Sequence, residues 1–395
     1  MNFSMSVNNR KNMIYLDNAA TTKIDGRVLE TMMPYLTSDY GNASSIHTLG
    51  TSAKEVLKSC KDSLSRLINC DSDEIVFTSG GTESNNFAIK GIAFANRDKG
   101  THIIVSSIEH ECILNACKWL EGQGFYITYL PVDNFGFVNV DKLARYINPK
   151  TILVSVMHAN NEIGTIQDIE EIGKICREKN IYFHSDACQS FGKIPLDVQK
   201  CNLDLLTLNA HKVHGPKGVG ALFVRKGVKI DPLLHGGGQE SGLRSSTENI
   251  AGIVGFTKAA QIAFNEIEIE NKRLSGLRDK IIHSILNNIE GAYINGHPVN
   301  RLPANISFSV HGFEGEAMRL LLLLDEEGIS ISGGSACSSN SSDGSSHVLK
   351  AIGKDQFEAR GAIRISLGRF NTEAEIDIFL NVLLKKIKQL NPIFT

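Results

Sequence analysis

Between residues 74 and 225 short β-rich runs alternate with amphipathic stretches of helical period. The runs are EIVFTS (74–79), HIIVSS (102–107), FYITYL (125–130), TILVSVMH (151–158), IYFHSD (181–186), LDLLTLN (203–209) and GALFVR (220–225). Between them lie helical segments such as NNFAIKGIAFAN (85–96) and IEEIGKICREKN (169–180). Strands that are apolar throughout and separated by helices predict an α/β fold, with a mainly parallel seven-stranded sheet between helices. In such sheets ligands collect beyond the carboxyl ends of the strands. The polar residues of these runs fall at that end.

The pattern changes after the Gly/Ser-rich segment HGGGQESGLRSSTEN (235–249). A long helical stretch at roughly 251–289 leads into alternating strands at NISFSV (305–310) and AIRISL (362–367), each expected to bury one face. MRLLLLLDEEG (318–328) reads as a helix stopped at Gly328. The last helix opens with the capping box Thr372-x-x-Glu375 and aligns Ile376, Phe379, Leu383, Ile387 and Leu390 on one face. The division expected is a large domain over 15–260 and a smaller α+β domain made of 1–14 and 261–395. The smaller one carries a low-complexity loop, SGGSACSSNSSDGSS (332–346).

Composition narrows the classes. A chain of 395 residues with 42% hydrophobic and 21% charged residues can bury a sizeable core. Its formal net charge of −2 supplies no field for nucleic acid or an anionic membrane, so no direct partner of either kind is expected. There is no apolar run long enough for a membrane span and no signal peptide at the start, so the expected location is the cytoplasm. Eight cysteines show neither C-x-x-C nor zinc spacing; no metal site is expected, and most of the thiols read as small buried hydrophobes.

Six places carry candidate chemistry. Ser79-Gly80-Gly81-Thr82 joins a strand to a helix, either as an ordinary turn or as an anion site built from backbone N–H groups. Asp186, ending a strand in HSDACQ, is either a helix cap or the partner of a protonated ring nitrogen. Lys212, in LNAHK, stands just past a buried strand, where a partly desolvated amine can act as a Schiff-base nucleophile, although a solvated surface lysine has the same local sequence. His110 at another strand end can stack on a flat ring and move protons, or be a satisfied structural histidine. Arg364, in the strand GAIRISLGRF, suits a carboxylate held bidentately or a salt bridge. Cys337 differs from the other cysteines: it lies in a Gly/Ser/Asn-rich loop rather than in an apolar run.

The order of these features, together with YLDNAATT (15–22), TSGGTESNN (78–86), MHANNEIG (157–164), HSDACQS (184–190), AHKVHGPKG (210–218), HGGGQESGLRS (235–245), SGGSACSS (332–339) and SLGRFNTEAEID (366–377), spans nearly the whole chain. It resembles the NifS/IscS-like cysteine desulfurases of the class V (fold type I) superfamily of aminotransferases that use pyridoxal 5′-phosphate (PLP). The resemblance implies that Lys212 carries PLP as a Schiff base, that Asp186 pairs with the pyridine nitrogen, and that Gln189 hydrogen-bonds the ring hydroxyl. It also implies that Gly81, Thr82, Asn209 and His211 bind the phosphate, with Thr247 reaching in from the other subunit of a homodimer. His110 would stack on the ring and shuttle protons. Asn161 and Arg364, helped by Asn42, would hold the carboxylate of L-cysteine, and Cys337 would take the sulfur as a persulfide. Sulfur-acceptor proteins of iron–sulfur cluster assembly, tRNA thiolation or thiamine synthesis are the implied partners.

Three positions depart from that pattern. Asn209 stands where serine is usual, and its amide can still donate to a phosphate. Ser246 replaces a glycine beside Thr247, and Cys188 takes a place commonly held by threonine. Rival readings are a selenocysteine lyase or aminotransferase on the same fold, and a non-catalytic sulfur-relay scaffold. An aminotransferase has no use for the loop thiol, and a scaffold has no use for Lys212 and His110.

Overall fold

The computed structural model describes residues 13–333 and 345–390. The chain forms two compact units, one of Thr21–Asn161 and Thr165–Glu268, the other of Met1–Ala20, Glu162–Gly164 and Ile269–Thr395.

All seven β-rich runs of the first unit form one sheet. Its strands lie in the order Ile75–Thr78, Gly220–Val224, Leu205–Asn209, Tyr182–Asp186, Thr151–Ser155, His102–Ser106, Tyr126–Leu130. Gly220–Val224 is antiparallel to both its neighbours, and every other pairing is parallel. The strands away from the Tyr126 edge are buried at nearly every position, as continuous apolar runs require; Ile103, Ile104 and Val105 are wholly inaccessible. Each such side chain contributes roughly 1.5–3 kcal/mol of burial. Tyr126–Leu130 is the edge strand, and it alone exposes several side chains.

Helices Gly81–Ala95 and Glu111–Glu121 begin a few residues beyond strand ends, and Ile169–Glu178 follows Thr151–Ser155 after a longer connection. Asp168 caps the last of these by accepting the Glu171 N–H at 3.0 Å. The stretch expected as one helix over 251–289 is two, Ile250–Asn265 and Ile267–Asn288, broken at Glu266 (φ −104°, ψ 2°). The Glu266 carboxylate pairs with Arg27 of the first helix at 2.8 Å.

The second unit holds a four-stranded sheet in the order Ser332–Gly333, Ile363–Ser366, Asn305–Val310, Ala292–Ile294, antiparallel throughout. A separate parallel pair joins Ile14–Tyr15 to Ile329–Ser330. Asn305–Val310 and Ile363–Ser366 are buried at every position, which corrects the expectation of one wet face. The polar face is covered because Asn295 Nδ2 lies 3.4 Å from Ser307 Oγ and donates to Ser309 Oγ at 3.0 Å. Helix Ala317–Glu326 stops before Gly328, which takes φ +78°. Helix Glu373–Leu390 opens with its capping box formed: Thr372 N–H donates to Glu375 Oε2 at 2.9 Å, and the Glu375 N–H donates to Thr372 Oγ1 at 3.3 Å. Ile376, Phe379, Leu383 and Ile387 form its buried stripe.

Candidate active site

The large unit gathers its polar side chains beyond the carboxyl ends of its strands. After Ile75–Thr78 the chain turns through Gly80, at φ +153°, a conformation other residues rarely adopt, and Gly81 starts the next helix. A Cβ at Gly81 would stand 2.6 Å from Cys188 Sγ and 3.5 Å from Asn209 Nδ2, so only a hydrogen fits there. Glu83 steadies the turn by accepting the Ser79 N–H at 3.0 Å, and it is held in turn by both arms of Arg244 at 2.7 and 3.1 Å. Thr82 follows on the first turn of the helix, exposed.

Asp186 ends its strand buried, with Oδ2 accepting from Asn85 Nδ2 at 2.7 Å and Oδ1 accepting the Cys188 N–H at 2.8 Å. Among the described residues it forms no ion pair. One residue pair earlier in the same strand, His184 sits between Ser155 Oγ (2.9 Å) and Thr207 Oγ1 (3.0 Å). Burial lowers the pKa of His184 to about 4, which keeps that ring neutral. The Cys188 thiol is pushed well up, by burial first and by Asp186 second. It therefore stays a thiol and fills space against Gly81.

A cationic group faces the next strand end. Asn209 is buried, and its Oδ1 has no hydrogen-bond partner among the described residues. His211 Nδ1 lies 3.1 Å from Thr21 Oγ1. Its pKa falls to about 4, from burial first and then from the charges of Lys212, Lys217 and Lys193. Lys212 is half-buried in a tight turn closed by the Val213 and Gly215 N–H groups on the Ala210 carbonyl (3.1 and 3.0 Å).

His110 caps helix Glu111–Glu121: its Nδ1 accepts the Cys112 N–H at 3.2 Å and lies 3.1 Å from the Cys112 thiol. That contact makes Nδ1 the acceptor and leaves the proton of the neutral ring on Nε2. Gln189 and Asn161 are buried, whereas Asn42 is exposed and spends its Oδ1 on the Ser44 N–H at 2.9 Å. Thr247 is exposed and lines a cavity of about 120 Å³ with Ser79 and Gly218 of its own chain. Ser246 takes φ +156°, a value glycine reaches at little cost. In the small unit Arg364 is almost wholly buried, with Nη2 2.9 Å from Asp17 Oδ1. Cys337 and most of its loop lie outside the described residues.

These groups suit PLP. The cations Lys212, Lys193 and Lys217, the neutral ring of His211, the helix start at Gly81 and the side-chain N–H₂ of Asn209 provide for a phosphate. The unpaired carboxylate of Asp186 provides for a protonated ring nitrogen, and Lys212 provides an amine for an aldehyde.

The comparisons with known proteins agree with this chemistry. The model of the class-V aminotransferase family matches residues 14–379. The chain belongs to the class-V aminotransferase family. It is 50% identical over 391 residues to a Methanosarcina thermophila protein named cysteine desulfurase IscS, covering 98% of this chain and 96% of that one. A Clostridium botulinum protein of the same name is 51% identical over 378 residues, covering 95% and 94%. Among solved structures, a NifS-like protein superposes with a TM-score of 0.89 at 40% identity, covering 96% of this chain and 100% of that one. A structure described as SspA in complex with cysteine gives 0.79 at 38% identity, covering 91% and 100%. The fold is thus that of the fold type I PLP-dependent enzymes, as the strand pattern and motifs predict.

Four contributors escaped the sequence reading: Asn85, Cys112, Lys193 and Asp17. Asn85 stands four residues after Gly81 and Lys193 four after Gln189, so helical spacing was the available signal. Nothing in the local sequence of Asp17 points to Arg364, which lies 347 residues away.

Proposed function

We infer that this chain is a PLP-dependent cysteine desulfurase, which removes sulfur from L-cysteine, yields L-alanine and passes the sulfur to acceptor proteins. The observation that carries the reading is the separation of charge at the carboxyl ends of the sheet: Asp186 stands without an ion-pair partner among the described residues at one strand end, and Lys212 follows the next. When bound, PLP supplies an electron sink for the bonds around the substrate Cα.

The chain's own residues do the rest. Lys212 would hold the coenzyme through its side-chain amine. Asp186, fixed by Asn85 and the Cys188 N–H, keeps a proton on the ring nitrogen. Gly81, Thr82, Asn209 and His211 would hold the phosphate, with the Asn209 Nδ2 as a donor. Thr247 of a second copy completes the phosphate site in a homodimer. His110 stacks on the ring and moves the substrate's protons, and Asn161, Arg364 and Asn42 orient the substrate carboxylate. Free thiols have a pKa of about 8.5, so proton acceptance by His110 raises the thiolate fraction at Cys337. That thiolate attacks the substrate sulfur: the S–S bond forms, the C–S bond breaks, and its electron pair ends as a C–H bond of alanine. No helix among the described residues is long and apolar enough to cross a membrane, in keeping with work in the cytoplasm.

The test is alanine release from cysteine in the presence of dithiothreitol or a protein acceptor. Cys337→Ala should abolish it. Full turnover by that variant with a physiological acceptor contradicts the persulfide route, and a transaminated product in place of alanine favours an aminotransferase.

A further inference from the structure

The Gly/Ser-rich segment 235–249 is fastened to Ile75–Thr78, the strand that ends one side of the large sheet and leads into the turn at Gly80. Glu240 Oε2 accepts the Phe77 N–H at 2.8 Å and pairs with Lys61 Nζ at 2.8 Å. The segment then reverses over Glu240, Ser241 and Gly242, at φ +49°, +58° and +82°. Two of these residues carry side chains, and such a conformation persists only where surrounding contacts hold it. The Gly242 and Leu243 N–H groups close the reversal on the Gly238 and Glu240 carbonyls (3.0 and 3.1 Å). Arg244 follows directly and meets Glu83 side-on, with Nε donating to Oε1 at 2.7 Å and Nη2 to Oε2 at 3.1 Å. Only 16% of the arginine side chain and 13% of the glutamate side chain remain exposed. Glu83 Oε2 also accepts the Ser79 N–H at 3.0 Å.

Glu83 is the third residue of helix Gly81–Ala95, in the same turn as Gly81 and Thr82. A carboxylate there suits an empty helix end, since it answers the dipole and reaches back to a backbone N–H. It is the wrong charge for a helix end that receives a phosphate. Arg244 removes the conflict: a bidentate guanidinium cancels the charge and still leaves Oε2 on the Ser79 N–H. Burial acts to raise the Glu83 carboxyl, but the hydrogen bonds from Arg244 and Ser79 outweigh it and set the pKa below the ordinary value. The bonds to Glu83 raise the Arg244 guanidinium, with burial opposing and the charges of Glu240 and Glu248 adding to the rise. The pair therefore stays ionised at neutral pH.

We propose that Arg244 is a positioning residue for the coenzyme phosphate, acting through Glu83: it aims that carboxylate at the Ser79 N–H and masks its charge from the anion site at Gly81 and Thr82. The inference rests on PLP binding with its phosphate at this turn. That premise is checked separately by Thr82→Val, which should weaken PLP but not pyridoxal, the same aldehyde without the phosphate. An unchanged PLP affinity in Thr82→Val sinks the premise, whatever Arg244 does.

The experiment is a cycle of Arg244→Met, Glu83→Gln and the double variant in the full chain. The dissociation constants of PLP and of pyridoxal are read on each from the visible absorption band. Arg244→Met unmasks the carboxylate, so PLP is expected to weaken roughly tenfold, with pyridoxal within about twofold of wild type. The double variant removes that carboxylate and should bind PLP several times more tightly than Arg244→Met alone. Absence of any recovery in the double variant, or an equal loss for pyridoxal in Arg244→Met, overturns the proposal, because either result marks the pair as a brace for the fold alone. If Arg244→Met fails to fold, Arg244→Gln carries the same expectations.

Discussion

The two units treat their charged groups in opposite ways. At the strand ends of the large unit Asp186 has only neutral donors for company, and Lys212 and Lys193 repel each other beside a neutral His211, with no carboxylate paired to either among the described residues. In the small unit the buried guanidiniums are answered from within. Arg301 spends its donors on the carbonyls of Asn305 and Ile163 at 3.2 and 3.1 Å, and Arg364 meets Asp17 at 2.9 Å. Unanswered charge is costly unless a ligand arrives. The large unit is therefore arranged around something it does not itself contain, whereas the small unit is arranged to be stable and to hold one arginine ready.

Perturbing either side tests that contrast. Lys212→Ala has the largest expected effect: loss of the visible band and of alanine release, with the fold kept, as circular dichroism would report. Next comes Asp186→Asn, which removes the ring's counter-charge and should cut turnover on the order of a hundredfold or more. An unchanged rate would mean that the carboxylate only caps the turn to Cys188. Gly81→Ala should weaken PLP by about tenfold, since its methyl meets Cys188 Sγ, and Cys188→Ala in the same chain should recover most of that loss. Failure of the rescue would separate the glycine's role from the thiol's bulk. On the small unit's side, Asp17→Asn should raise KM for cysteine roughly tenfold with the visible band unaltered. A fall in KM would instead mark Asp17 as a competitor for Arg364.

The smallest effect is one of stability with pH. Burial lowers the folded-state pKa of His158 and of His184 to about 4, against about 6.5 for an unfolded chain. Below about pH 6.5 the unfolded chain takes up protons that the folded one refuses, so stability falls as pH drops toward 4. The expected loss at pH 5 is on the order of 1 kcal/mol per histidine, and urea midpoints at pH 7 and 5 would measure it, with His184→Asn reducing the slope.

The strands were legible because apolar runs without alternation admit few other assignments, and the candidate site residues stand just past those runs. Asn305–Val310 misled for the converse reason: Ser307 and Ser309 look wet in the sequence and are dry in the fold, satisfied by Asn295. Sequence spacing likewise places Asn85 and Lys193 four residues after candidate site residues but says nothing of what they touch. Pairings such as Asp17 with Arg364, or His184 with Ser155 and Thr207, exist only once distant segments meet.

The strand Ile14–Tyr15 pairs in parallel with Ile329–Ser330. Ile329 lies 315 positions after Ile14, so the first strand leaves the ribosome long before its partner. At bacterial or eukaryotic elongation speeds the interval is on the order of half a minute. Throughout that wait Leu16, which ends fully buried, must stay in water or on a chaperone, and the large unit, which ends at Glu268, is complete before the wait is over. Nascent chains stalled before residue 329 should therefore expose their leading segment to protease long after the central sheet has become resistant.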